Sequence, residues 1–238
     1  MSTVTPPRPP QLRLLGQFRL ESTAGPVELC GNAQRLLAFV GLRGHVSRSV
    51  LAGTLWPDAT EEHARGSLRT TLWKLPHGDR PLVRCGGESV ALTDALRVDA
   101  RALVETALSV VRAEAPSPHG PMPMVLLGGG ELLPGWDEDW VLVERERLRQ
   151  LRLHALEALA DGLTRQGSPA LALEAALASV RIEPLRESAH RAVVAAHLSE
   201  GNVIEAVRHY RAYRLLLRDE LGLEPSAQLA GMIPVAHR

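Results

Sequence analysis

The stretch 61–75, EEHARGSLRTTLWKL, carries the residue types best suited to chemistry. Wound at 100° per residue, it places Ala64, Leu68, Thr71, Leu72 and Leu75 on one face. The opposite face centres on Gly66, Arg69, Thr70 and Trp73, flanked by His63, Arg65, Ser67 and Lys74. No acid falls between Ala64 and Leu75. Arg and Lys make bidentate or charged contacts to guanine edges and phosphates, and small side chains let a helix approach closely. The pattern therefore suits a helix that enters a DNA major groove. The competing reading is a plain amphipathic helix whose Trp73 packs under a following hairpin.

Other chemistry finds little support. No HExxH, GxSxG or phosphate-binding GxxxxGK[ST] occurs, and Gly128–Gly130 lacks the lysine and strand context of a nucleotide loop. His190 and His197 are seven residues apart, too far for a shared metal without other ligands. Asp137-Glu138-Asp139 stands at a helix start between Trp136 and Trp140, where the helix dipole favours acids. Glu144, Arg145, Glu146, Arg147 and Arg149 read as a solvated helix face. The expectation is a protein with no enzyme activity, no cofactor and no metal.

The elements around the basic helix explain how it would be held. Residues 12–20 and 27–29 read as two short strands joined around Gly25-Pro26. GNAQRLLAFVGLRG follows as a helix with Asn32 as its cap, and Gly44 stops it. A second helix starts at Ser47 and ends at Pro57-Asp58. Thr60 caps the third, which runs 62–75. PLVRCGGESVALT then reads as a hairpin turning at Gly86-Gly87. Arg84 lies beside that tip, and Arg35 and Arg48 lie near helix starts, where phosphate contacts are common. Asp99 caps a helix over 100–113. EAPSPHGPMP, 114–123, opens an irregular loop that extends to 135.

Beyond it the chain reads as helical: 138–166, then 169–182, 185–200 and 203–221. Gly167 and Gly201 are 34 residues apart, with Ala172 and Ala206 in register, the period of tetratricopeptide helix pairs. An ordinary helical bundle with coincidental glycines is the alternative.

Composition sharpens this only after it is divided. The 238 residues hold 27 basic and 27 acidic side chains. Residues 1–105 carry 13 basic and 10 acidic, whereas 106–238 carry 14 and 17. All the basic residues but Lys74 are Arg, which GC-rich coding explains, so the Arg count by itself says nothing about nucleic acid. No apolar run approaches the ~20 residues of a membrane helix. Met1–Pro10 lacks an apolar signal core and reads as a disordered lead-in. Cys30 and Cys85 make no disulfide framework, and a reduced, cytoplasmic setting is expected.

The order of strands, three helices and hairpin resembles the winged-helix effector domain of response regulators. More closely, GNAQRLLAFVGLRG and LAGTLWPDATEEHARGSLRTTLWKL resemble the antibiotic regulatory proteins of filamentous actinobacteria. LLPGWDEDWVLVERERLRQLRLHALEAL and PLRESAHRAVVAAHLSEGNVIEAVRHYRAYRLLLRDELGLEPSAQL are similar to the bacterial transcriptional activator domain that follows in that family. The resemblance covers about residues 11–230. It departs at the wing, which reads GGESVAL where the family usually has a Gly-Tyr.

The resemblance implies a mainly α fold with a small β component. A winged helix-turn-helix of response-regulator effector type would span 11–98. An all-α tetratricopeptide-like domain would span 99–238. It implies a small activator that binds direct repeats in double-stranded DNA near a promoter, as one or more protomers. The activator would contact RNA polymerase and its sigma factor. Arg65, Ser67, Arg69, Thr70, Trp73, Lys74 and Arg84 are the expected DNA contacts, with Arg35 and Arg48 as possible phosphate contacts. Two rivals remain at this point: an interaction scaffold whose winged helix binds protein, and control by a small effector held in the helical domain.

Overall fold

A computed structural model describes residues 9–22, 25–76, 81–112 and 122–233. The lead-in through residue 8 and the stretch 113–121 of the Pro-rich loop lie outside the described residues. Contacts divide the chain into two units, the first Met1–Ala102 with Gly130–Arg145, the second Leu103–Gly129 with Glu146–Arg238.

In the first unit, β1 (Gln11–Arg13), β2 (Arg19–Ser22) and β3 (Gly25–Val27) are followed by α1 (Gly31–Arg43), β4 (Val46–Ser47), α2 (Arg48–Leu55) and α3 (Glu61–Trp73). The hairpin β5 (Val83–Gly86) and β6 (Ser89–Leu92) comes next, then β7 (Arg97–Val98) and the start of α4 (Asp99–Arg112). One sheet has the order β3-β2-β1-β7, with β1 antiparallel to β2 and parallel to β7. The other has the order β4-β6-β5. Leu12, Leu14, Leu20, Leu36, Leu37, Leu51, Leu55 and Leu68 are all fully buried. Each such side chain removed from water stabilises the fold by roughly 1.5–3 kcal/mol.

Several local expectations need correction. There are three leading strands rather than two, because the chain breaks at Gly16, and Gly25-Pro26 lies inside β3 instead of forming the turn. Asn32 does not cap α1. The cap position falls two residues earlier, at Cys30, whose backbone is extended and whose side chain makes no cap bond. The hairpin turns at Gly87-Glu88, since Gly86 pairs with Ser89. Gly87 has φ 55°, at the position a type II′ turn reserves for glycine.

Asp99 does more than begin α4. Its carboxylate accepts from the backbone N–H groups of Leu14 (2.8 Å), Leu15 (3.1 Å) and Ala100 (2.7 Å). Burial nonetheless holds its pKa above the ordinary Asp value, outweighing those three donors. Arg101 donates to the carbonyls of Gly41 and Val40, satisfying the end of α1.

The loop 114–135 is less irregular than its composition suggests. It contains α5 (Met124–Gly128), and Leu132 forms an antiparallel bridge with Leu15. Gly16 N–H donates to the Glu131 carbonyl at 2.7 Å, and Leu133 N–H to the Leu14 carbonyl at 2.8 Å. Arg145 gathers the following turn by donating to the carbonyls of Leu132, Leu133 and Trp136. Trp136 stacks near Phe18, and Trp140 meets Phe39 edge-on at 5.1 Å.

The remaining helices are α6 (Asp139–Arg165), which begins in the first unit, α7 (Pro169–Ile182), α8 (Glu187–Ser199), α9 (Val203–Leu221) and α10 (Ala227–Met232). In the second unit α7 packs on α8 and α8 on α9, while the short α10 returns to α8. Gly167 and Gly201 both have φ above +70°, and Ala172 and Ala206 are fully buried, so the 34-residue period is structural. Among the described residues, no helix is long and apolar enough to cross a membrane.

A histidine pair joins α8 to α9. His190 Nε2 lies 2.8 Å from the Pro184 carbonyl, which only accepts, so the His190 proton sits there. Its Nδ1 then accepts from His209 Nε2–H at 2.9 Å, and Tyr213 stacks on the His190 ring. Burial lowers the pKa of His190, and burial, with His190 and His197 nearby, lowers His209 to about 4. An unfolded His titrates near 6.5. The unfolded chain therefore binds more protons between these values, and stability present above about pH 6.5 is lost as pH falls towards 4. Calorimetry should show the melting temperature dropping across that window. The drop should be smaller in His209→Gln; an equal drop would rule out this pair as its source.

Candidate nucleic-acid interface

The helix α3 is fixed at its start by local chemistry. Thr60 Oγ1 accepts from the His63 N–H, and Glu61 and Glu62 occupy the first turn, where the dipole favours acids. Ala64, Leu68, Thr71 and Leu75 are buried, and α2 packs alongside. That leaves His63, Arg65, Arg69, Thr70, Trp73 and Lys74 exposed, with Gly66 and Ser67 half-buried. Trp73 is 74% exposed, so it does not pack under the hairpin.

The exposed cations differ in how free they are. The Arg69 guanidinium and the Lys74 ammonium make no hydrogen bond or ion pair among the described residues. Arg65 pairs with Glu61 at 2.8 Å, both exposed, a contact worth at most about 1 kcal/mol and readily exchanged for a phosphate. Thr70 donates its hydroxyl to the Gly66 carbonyl at 3.0 Å, leaving its oxygen as an acceptor.

Grooves lie on both sides of this helix. One of about 500 Å³ runs past Gly66, Ser67, Thr70 and Lys74 to Cys30 and Asn32. The other, of about 340 Å³, is walled by Leu72, Pro81, Leu82 and Val83, with Arg48 and Arg69 among its lining. Arg69 and its neighbours thus form a ridge between two furrows.

The wing is tied to the start of α2. Arg48 N–H donates to the Glu88 carbonyl at 2.8 Å, and its Nε to the Gly87 carbonyl at 3.3 Å. Arg84 is not a free cation: it pairs with Asp94 at 3.1 Å, and the tip presents Glu88. Arg35 has a partner within the unit. Its Nε donates to Glu138 at 2.7 Å and both side chains are about three-quarters covered, so its charge is already spent inside the unit. The sequence separation of 103 residues hid that partner. Gly66 was not among the expected contacts, although its place on the outward stripe was legible.

Residues 99–233, more than half the chain, match the bacterial transcriptional activator domain. The regulatory protein AfsR of Streptomyces coelicolor is 35% identical over 99 residues, 42% of this chain and 10% of that protein. The structure of Mycobacterium tuberculosis EmbR in complex with a low affinity phosphopeptide matches with a TM-score of 0.68 at 20% identity. That match covers 94% of this chain and 64% of EmbR, and it shows a shared winged-helix and helical architecture. The chain therefore spans about a tenth of the curated relative and under two thirds of the structural one.

Proposed function

Because the chain belongs to the antibiotic regulatory family that carries a bacterial transcriptional activator domain, we propose that it is a DNA-binding transcription activator. Residues 11–98 would hold the DNA, and 99–238 would serve activation. The observation that carries this is α3, whose outward face offers Arg69 and Lys74 uncommitted and has no acid after Glu62. In mechanism, α3 enters the major groove with Arg65, Ser67, Arg69, Thr70, Trp73 and Lys74 towards the bases and flanking phosphates. Arg48, beside the wing, adds a phosphate contact. Arg84 would do so by leaving Asp94, and Arg35 by leaving Glu138.

The operator is a pair of direct repeats upstream of a promoter, within a secondary-metabolite gene cluster. Protomers on direct repeats stand head to tail, so repeat spacing near one helical turn is expected. The bound protein then presents surface to RNA polymerase and its sigma factor. Footprinting on adjacent intergenic DNA tests the reading. It should reveal repeated protected sites whose occupancy falls steeply with salt, because each phosphate contact releases counterions. Uniform protection with no preferred site would overturn it. A protein-binding winged helix is less well supported, since that use favours an apolar outer face over a basic one.

A further inference from the structure

We propose that Trp73 reads the methyl group of one thymine in each half-site, with Gly66 as the point of closest approach that brings the indole into reach. The proposal rests on α3 entering the major groove. Trp73 ends α3, stands 74% exposed, and no aromatic ring among the described residues stacks on it. The furrow beside it has apolar walls at Leu72, Pro81 and Val83, with Arg48 and Arg69 as its cations. In the major groove, base pairs offer polar edges and one apolar group, the thymine methyl. A flat apolar ring flanked by cations matches that methyl with a phosphate nearby.

Gly66 supplies the second, independent observation. It lies seven residues before Trp73, about 10.5 Å at 1.5 Å per residue, and on nearly the same side of the helix. A Cβ built there meets nothing within 4 Å, and its φ is not in the left-handed region. Neither packing nor backbone conformation inside the unit requires glycine. A glycine in a helix interior is less stable than alanine. Its place on the outward stripe is explained if a ligand approaches the backbone there. Thr70, between the two, turns its hydroxyl hydrogen in towards the Gly66 carbonyl, which keeps the stripe low up to the Trp73 ridge. Gly53 in α2 is equally open but stands on another helix, and so serves as a control.

The test uses the whole chain and a duplex carrying the footprinted site, with each thymine replaced singly by deoxyuridine, which removes only the methyl. Wild type should lose about four-fold in affinity at one thymine per half-site, the worth of one buried methyl. Trp73→Ala should bind more weakly and be indifferent to that change, whereas Trp73→Phe should keep part of the sensitivity. Gly66→Ala should raise the melting temperature by roughly 2–4 °C while lowering affinity at least about ten-fold. Gly53→Ala should give the same thermal gain with no loss of binding. If no thymine responds, or Trp73→Ala responds as wild type does, the methyl assignment falls. If Gly66→Ala binds normally, the close-approach assignment falls. Failure of the wild type to prefer any duplex sequence would instead overturn the groove-binding reading itself.

Discussion

Replacing Arg69 with Ala should weaken binding to the specific site by roughly 5–150-fold, the 1–3 kcal/mol of a lost base-edge contact. The same change should leave folding stability within about 0.5 kcal/mol, because the exposed Arg69 guanidinium makes no hydrogen bond or ion pair among the described residues. The separation of the two readouts is what assigns the side chain to a ligand. Arg65→Ala offers a graded comparison: its guanidinium already shares an exposed contact with Glu61, so its loss should cost less. Lys74→Ala should weaken all sequences alike and reduce the salt slope by about one unit if it meets a phosphate. Fluorescence anisotropy on specific and scrambled duplexes, at two salt concentrations, measures all three. An Arg69→Ala protein that binds its operator as wild type does would remove Arg69 from the interface.

Whether a feature was legible in the sequence depended on how local its cause is. The two faces of α3 follow from residues three and four apart, so Ala64 and Leu68 inward could be read directly, whereas the periodicity left Trp73 open between an outward place and packing under the hairpin. The bounds of α7 and α9 are set by Ser168-Pro169, Gly201-Asn202 and Gly222, punctuation that a sequence displays. Asn32 misled because a good capping residue one step inside a helix looks like one at its edge. Arg35 and Arg84 have partners that the sequence did not show. An isolated Arg near a helix start or a wing looks available, but Glu138 and Asp94 meet them only in the folded chain. The His190–His209 pair is a further case, 19 residues apart and joined by packing of α8 on α9. The Gly-rich run 128–130 read as part of an irregular loop, yet one of its glycines is a tight steric requirement.

That glycine gives the largest expected loss of stability. A Cβ at Gly130 would lie 2.8 Å from the Cα of Gly16 and 2.9 Å from its nitrogen. Both are backbone atoms, so no side chain can turn aside, and the two strands of the Leu15–Leu132 bridge must part. Parting them stretches the 2.7 Å bond from Gly16 N–H to the Glu131 carbonyl and the 2.8 Å bond from Leu133 N–H to the Leu14 carbonyl. It also withdraws Leu132 and Leu133, now fully buried, and loosens the turn that Arg145 holds. Overpacking of a fixed contact costs about 1–3 kcal/mol, and each bond weakened adds about 1 kcal/mol. Gly130→Ala should therefore lower the melting temperature by roughly 6–12 °C, as a loss near 3 kcal/mol does in a chain of this length. Gly128→Ala is the matched control, because a Cβ there meets nothing within 4 Å, and it should melt as wild type does. Equal melting temperatures for the two variants would show that segment 130–145 is not held against residues 14–16 in the way the geometry requires.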